Sequence, residues 1–523
     1  MYHEESGSRR RAGHSQRVLR WMLCLLCSVS SGFAAAAEPV FDREAWRGDY
    51  SALKRALEQS YANLAWLASP QGGVDLPALD RRTQRMLDLA GDDADARVAL
   101  LAFVAAFHDG HFSPLPLRAP ATAAAAEPAR PDLATLDAAA GCAALGYAVT
   151  RSTAFSLPFE TLPGFVLESD GVASPFRAGI AGTGSGTRLG IVRIPYFRQS
   201  EAATLCVQAW TALRTGGQAI DAAVLRKKVD AAWFDALAGQ LRRFGQEQVG
   251  AVVVDVGDNG GGNDAGDWSA RLFTAKPVHS ARLWMAAADD ARAYADEQLG
   301  ELRKAWAALA HPDAQARQAY AAATADFERR QAAIASRHCD LSWAWREQRT
   351  WNPAGCSRLL DMGFASGAVD YLPASASGGD ELRSALYWPA AVDTQRGAWS
   401  GPVYVLTNAK TYSSAEMFSA VMRDNGISRT VGVTTGGDGC GFMQEAKPLV
   451  LPHSQLRFRI PDCVRLRADG GDEVAGVKPD LPVLPSEGES ERARAARALA
   501  VIDADLQAVA QTPRHSRESG NPL

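Results

Sequence analysis

The chain has 523 residues, 47% of them hydrophobic and 22% charged, an ordinary globular composition with room for a large core and several domains. The formal charge is −4, and no basic block occurs beyond the first residues, so nucleic acid is not an expected partner.

Arg9, Arg10, Arg11, Arg17 and Arg20 precede an uncharged stretch from Trp21 to Ala37 that ends in four alanines. A basic region, an apolar run and a small-residue cleavage site read as a signal peptide over residues 1–37, which predicts a periplasmic or secreted protein. The run is short for a membrane anchor, so no stable membrane span is expected. Cysteine usage fits export. Cys142, Cys206, Cys339, Cys356, Cys440 and Cys463 lie beyond the leader, enough for three disulfides, with Cys339/Cys356 and Cys440/Cys463 the pairs that proximity suggests. No CxxC occurs, and no metal site is expected.

Residues 43–112 read as a small helical domain. Leu53, Leu57, Tyr61 and Leu64 share one helical face, and Val98, Leu101, Val104 and Phe107 another. The pattern breaks at Asp109-Gly-His111. His111 has the right chemistry for a general base near neutrality, although a structural histidine would look the same, and His108, Asp109 and His111 lack the further ligands of a metal site. Residues 115–184 read as a Pro/Ala linker and a strand-rich segment without a clear PDZ domain. Residues 185–286 and 351–485 read as an α/β core. Arg188–Ile194 is a strand, Trp233, Leu237, Leu241 and Phe244 mark a helix, and the apolar run Gly250–Val256 is a strand of a buried parallel sheet. Asp255-Val-Gly-Asp-Asn-Gly-Gly-Gly262 follows it directly. Such glycines let a backbone approach a ligand or serve only a turn, and no phosphate-loop lysine is present. Residues 287–350, rich in Ala, Glu, Arg and Gln and divided at His311-Pro312, read as a helical hairpin inserted in the core, either as decoration or as a lid.

The strand Val403–Thr407 leads into Thr411-Tyr-Ser-Ser-Ala-Glu416, followed by a helical apolar period over 417–422 and a further strand at 430–434. Ser413-Ser-Ala-Glu416 is a capping box, which needs no chemistry to explain it. A serine at such a turn also sits where free backbone amides and the positive end of a helix converge, which suits a nucleophile. Glu473 precedes a Gly/Pro turn at 476–479. Residues 486–523 read as a surface helix over 489–509 and a disordered tail.

In this order the motifs resemble those of the tail-specific, or C-terminal-processing, serine peptidases, in the tricorn-core-like branch. Asp255–Gly262 is similar to that family's Asp-Leu-Arg-x-Asn-Gly-Gly-Gly, and Thr411–Glu416 to its Thr-x-Ser-x-x-Glu. Val431–Gly437, Gly476–Asp480 and Asp109-Gly-His111 resemble its remaining segments. The resemblance implies a crotonase-like α/β core with a parallel sheet and crossover helices. It also implies an exported serine peptidase working through an acyl-enzyme, without cofactor, on peptides or unfolded proteins. Ser413 then matches the nucleophile, His111 the base and Glu473 the carboxylate that orients it. Ser414 with Gly260 or Gly261 would form the oxyanion hole. Gly257 stands where the family has arginine, and Asp438 where the bacterial processing branch has its lysine base. The alternative is a catalytically inactive carrier of peptides or hydrophobic ligands on the same fold. A small-acyl esterase would usually show Gly-x-Ser-x-Gly, which is missing here. Oligomeric state is open.

Overall fold

The computed structural model describes residues 41–117, 132–352, 355, 358–373, 379–444 and 447–511. The expected leader, most of the Pro/Ala stretch, Cys356 and the C-terminal tail lie outside them. The described residues from Asp42 onward form one compact unit.

At its centre is a seven-stranded sheet. Across it lie, in order, Leu481–Pro482, Arg429–Gly432, Val403–Thr407, Ala251–Asp255, Arg188–Arg193, Arg177–Gly182 and Val166–Asp170. The first five run parallel and the last two add on antiparallel. The strand-rich part of 115–184 is thus an edge of this sheet. Ala251–Asp255 is buried throughout because both faces are covered. Strand alternation divides its side chains: Val252 and Val254 pack with Trp233, Phe234, Leu237 and Leu241 of the helix Ala222–Gln246, and Ala251 and Val253 pack against Ala498, Leu499 and Ile502 of the helix Glu491–Gln511. The C-terminal helix is therefore not only a surface element. Its small and aliphatic stripe closes one face of the sheet.

The N-terminal helices Arg43–Ser60, Leu76–Leu89 and Asp93–Ala105 are each capped by an aspartate, Asp42, Asp75 and Asp92. In the third, Leu100 and Phe103 are buried with Val104, whereas the expected Val98 is 58% exposed. That helix is apolar nearly all round, so its sequence does not single out a face. Asp49, fully buried, accepts from the amides of His453 and Ser454 and ties the helical region to the core. Within 287–350 lie the helices Asp289–Ala307 and Ala314–Ser336, packed together through Tyr294, Leu299, Leu302, Phe327 and Ile334.

Two small sheets frame the site. Ser113–Leu115 pairs with Arg457–Arg459, and Cys463–Leu466 pairs with Arg282–Ala286. Disulfides join Cys142 to Cys206 and, as proximity suggested, Cys440 to Cys463. No helix among the described residues is long and apolar enough to cross a membrane.

Candidate active site

Two connections bring distant parts of the chain together at the carboxyl ends of the parallel strands. Val403–Thr407 turns sharply into the helix Ser414–Asp424, and the N-terminal helices end at Asp109-Gly-His111. Ser413 sits at the first turn with φ 53° and ψ −119°, a left-handed conformation that costs a non-glycine residue on the order of 1–3 kcal/mol. Surrounding contacts hold it there. The Ser413 amide donates to Glu416 Oε2 at 3.1 Å, so the Glu416 half of the expected capping box forms. Gly261, at φ +96°, lies so close beneath that a Cβ on it would fall 2.6 Å from the Cβ of Ser413. The serine oxygen faces His111, with His111 Nε2 3.1 Å from Ser413 Oγ.

The other ring nitrogen fixes the tautomer. His111 Nδ1 lies 3.2 Å from the backbone oxygen of Asp438. A carbonyl only accepts, so Nδ1 carries the proton and a neutral ring leaves Nε2 free to accept from the serine hydroxyl. The Asp109 carboxylate lies 3.7 Å from Nδ1 and also accepts from the Tyr61 hydroxyl at 2.7 Å and the His111 amide at 2.9 Å. Burial raises the Asp109 carboxyl above the usual carboxylate range, against the opposing pull of His111.

Glu473 occupies a different place from the one expected for it. It is buried and accepts from Arg465 Nε at 2.7 Å. No hydrogen bond or ion pair joins it to His111 among the described residues. Arg465 in turn donates to the Gly439 oxygen at 3.0 Å, one residue beyond the carbonyl that holds His111. Glu473 therefore bears on the histidine through Arg465 and the 438–439 backbone. That loop is also held from below. Glu416 accepts from Thr435 Oγ1 and from the amides of Gly437, Asp438 and Gly439, at 2.6–3.0 Å. Burial lifts the Glu416 carboxyl to about 7 despite these donors, each of which favours the ionised form. The Asp438 carboxylate accepts from the Gly110 amide at 2.7 Å and locks the histidine turn to the same loop.

Among the described residues the amide of Ser414, at the start of its helix, has no acceptor, and neither does that of Gly260, where a Cβ would meet open space. The Gly261 amide, in contrast, donates to Asn259 Oδ1 at 2.8 Å. Of the two expected glycines, Gly260 has its donor available. The loop carrying it lacks the arginine of the resembled signature. At Gly257 a Cβ would lie 2.4 Å from Ser156 Oγ, and Asp255 instead binds the Ser156 amide and hydroxyl and the buried Arg193. Ser413, Ser414, Gly260 and His111 open together onto a cavity of about 470 Å³.

Residues 188–483, more than half of the chain, match the sequence pattern of Peptidase family S41. The chain belongs to Peptidase family S41. It is a serine-type peptidase with a mostly parallel central sheet. Mature CPAF is similar in fold at 15% identity and a TM-score of 0.53, covering 90% of this S41 chain and 99% of its own. CPAF complexed with lactacystin gives 15% and 0.54, covering 90% and 98%. A putative peptidase from Parabacteroides merdae gives 14% and 0.45, covering 88% and 96%. No curated protein matches the S41 chain in sequence.

Sequence reasoning missed three parts of this site. The Asp438 carbonyl is a backbone atom and leaves no trace in composition. Asp109 was visible within Asp109-Gly-His111 but read as part of a motif. Arg465 is one of four arginines between 457 and 467, and no motif singles it out.

Proposed function

We propose that this S41 peptidase is exported and hydrolyses peptide bonds through an acyl-enzyme on Ser413, with His111 as general base and Glu473 as the carboxylate that positions it through Arg465. Peptides or unfolded proteins are its substrates. The contact between His111 Nε2 and Ser413 Oγ carries this reading, because the ring is held in the tautomer that can receive the serine proton. As Ser413 Oγ attacks the scissile carbonyl, His111 takes its proton, and the carbonyl oxygen gains negative charge beside the amides of Ser414 and Gly260. His111 then gives the proton to the departing amine. A water, deprotonated by the same nitrogen, cleaves the ester and restores the serine. Ser413 enters this cycle with its strained backbone already paid for by folding. Export is supported by the basic and apolar pattern of residues 1–37 and by the disulfides Cys142–Cys206 and Cys440–Cys463.

A fluorophosphonate tests the dyad, since it requires only an activated serine. The chain is expected to be labelled at Ser413, with labelling lost in Ser413→Ala and slowed about a hundredfold or more in His111→Gln. Equal labelling of the wild-type and His111→Gln chains would remove His111 from the mechanism.

A further inference from the structure

Beyond the reacting atoms, the walls of the cavity carry an unbalanced charge. Arg198, Arg459 and Arg465 all line it. Arg465 is neutralised by Glu473, and Arg198 lies 3.9 Å from Glu201. Asp264, the one acid lining the cavity among the described residues, lies in the field of Arg465, which offsets part of the burial that lifts its carboxyl to about 6. Arg459 has no acidic partner among the described residues. Its guanidinium carbon instead lies 3.8 Å from the centre of the Phe442 ring, and Phe442 meets the ring of His111 edge-on at 5.9 Å. The backbone at Arg459 is fixed as well, because it pairs with Ser113, two residues after the histidine. A permanently charged, stacked guanidinium is thus held one aromatic ring away from the catalytic imidazole, facing the space the substrate must fill.

We infer that Arg459 is a specificity residue that receives a substrate carboxylate close to the scissile bond, so that the enzyme favours peptides acidic at that position. This deepens the reading of Ser413 and His111 as the catalytic pair and rests on it. A guanidinium already stacked on Phe442 loses little freedom on binding and offers its free edge to two carboxylate oxygens. An uncharged amide of the same shape can neither match both donors nor discharge the arginine. The carboxylate could belong to a Glu or Asp side chain or to the chain terminus. Arg198 also lines a neighbouring cavity of about 410 Å³, so a peptide has room to continue past the site, which favours the side chain.

The test uses fluorescein-labelled decapeptides of Ala and Ser that carry one Glu, Gln or Lys at each position in turn, with free and amidated C-termini. Binding is read by anisotropy on the Ser413→Ala chain and cleavage on the wild-type chain. At one position Glu should exceed Gln by about tenfold or more in affinity and in kcat/KM, and the ratio should shrink as salt is raised. Arg459→Gln should bring the ratio close to one, and Arg459→Glu should invert it in favour of a Lys peptide. A preference that follows the free terminus and vanishes on amidation places the same chemistry at the chain end. Ratios near one in the wild-type chain, or a Glu preference that survives in Arg459→Gln, would overturn the inference. Cleavage that persists in Ser413→Ala would instead refute the catalytic assignment, while the binding ratios would still report on Arg459.

Discussion

Gly441 decides where the imidazole of His111 can lie. A Cβ there would stand 2.5 Å from His111 Cδ2 and 2.7 Å from Nε2, so Gly441→Ala must push the ring away from Ser413. A displacement on the order of an ångström costs up to about a hundredfold in rate, and kcat is expected to fall by at least about tenfold with little change in Tm. Wild-type kcat in Gly441→Ala would show that the ring has room to spare. The same scale separates a direct from an indirect role for Glu473. Because its carboxylate meets Arg465 and not His111, Glu473→Gln and Arg465→Met should act on one path. The double variant is predicted to lose no more kcat than the worse single variant; full additivity would mean separate routes to the histidine. Ser413 and His111 were legible in the sequence because each lies in a short motif whose neighbours set its conformation. The link from Glu473 through Arg465 to the Gly439 carbonyl was not legible. It joins residues through a backbone atom, and no spacing records that.

At the scale of elements, the loop from Thr435 to Phe442 is the part that assembles the site. It presents the Asp438 carbonyl to His111, hangs on Glu416 by three amides and a threonine, and is tethered by Cys440 to Cys463 at the start of the strand that carries Arg465. The disulfide therefore joins both supports of the histidine, whereas Cys142–Cys206 joins the helices Ala138–Ala144 and Ala203–Thr215 within the large core. Replacing Cys440 and Cys463 together by Ser is expected to lower kcat by about tenfold or more at a temperature where the chain is fully folded. The matching Cys142/Cys206 double variant should lower Tm and leave kcat near wild type. Equal effects on kcat from the two pairs would contradict this division. The strands Ala251–Asp255 and Val403–Thr407 were readable as apolar runs, and the helices Asp289–Ala307 and Ala314–Ser336 as two helical periods split at a proline. The buried face of Asp93–Ala105 was not, because its apolar residues surround the helix. Tertiary packing alone selects Leu100 and Phe103 over Val98.

For the whole molecule, burial of acids sets an unusual dependence of stability on pH. Glu416, Asp462 and Asp472 are each lifted to about 7 by desolvation, from ordinary values of 4.5 and 3.8. Between those ordinary values and about 7 the folded chain keeps protons that the unfolded chain has released. Unfolding then releases protons, and stability from these groups falls as pH rises through the window. Tm should be higher at about pH 6 than at about pH 8, and a Tm that rises across that interval would contradict this. The sequence indicated the α/β class and the order of its parts. It gave no sign that Glu416 would be both a helix cap and the anchor of the histidine loop, a role created only where Val403–Asp424 meets residues 435–439.

The measurement that bears most directly on the account is cleavage of a mixture of unfolded proteins by residues 38–523 and by the same chain carrying Ser413→Ala, with products read by mass spectrometry. The wild-type chain is predicted to cut and the variant, equally folded, to leave the mixture intact. Equal cutting by both chains, or no cutting by a folded wild-type chain that fluorophosphonate also fails to label, would contradict it.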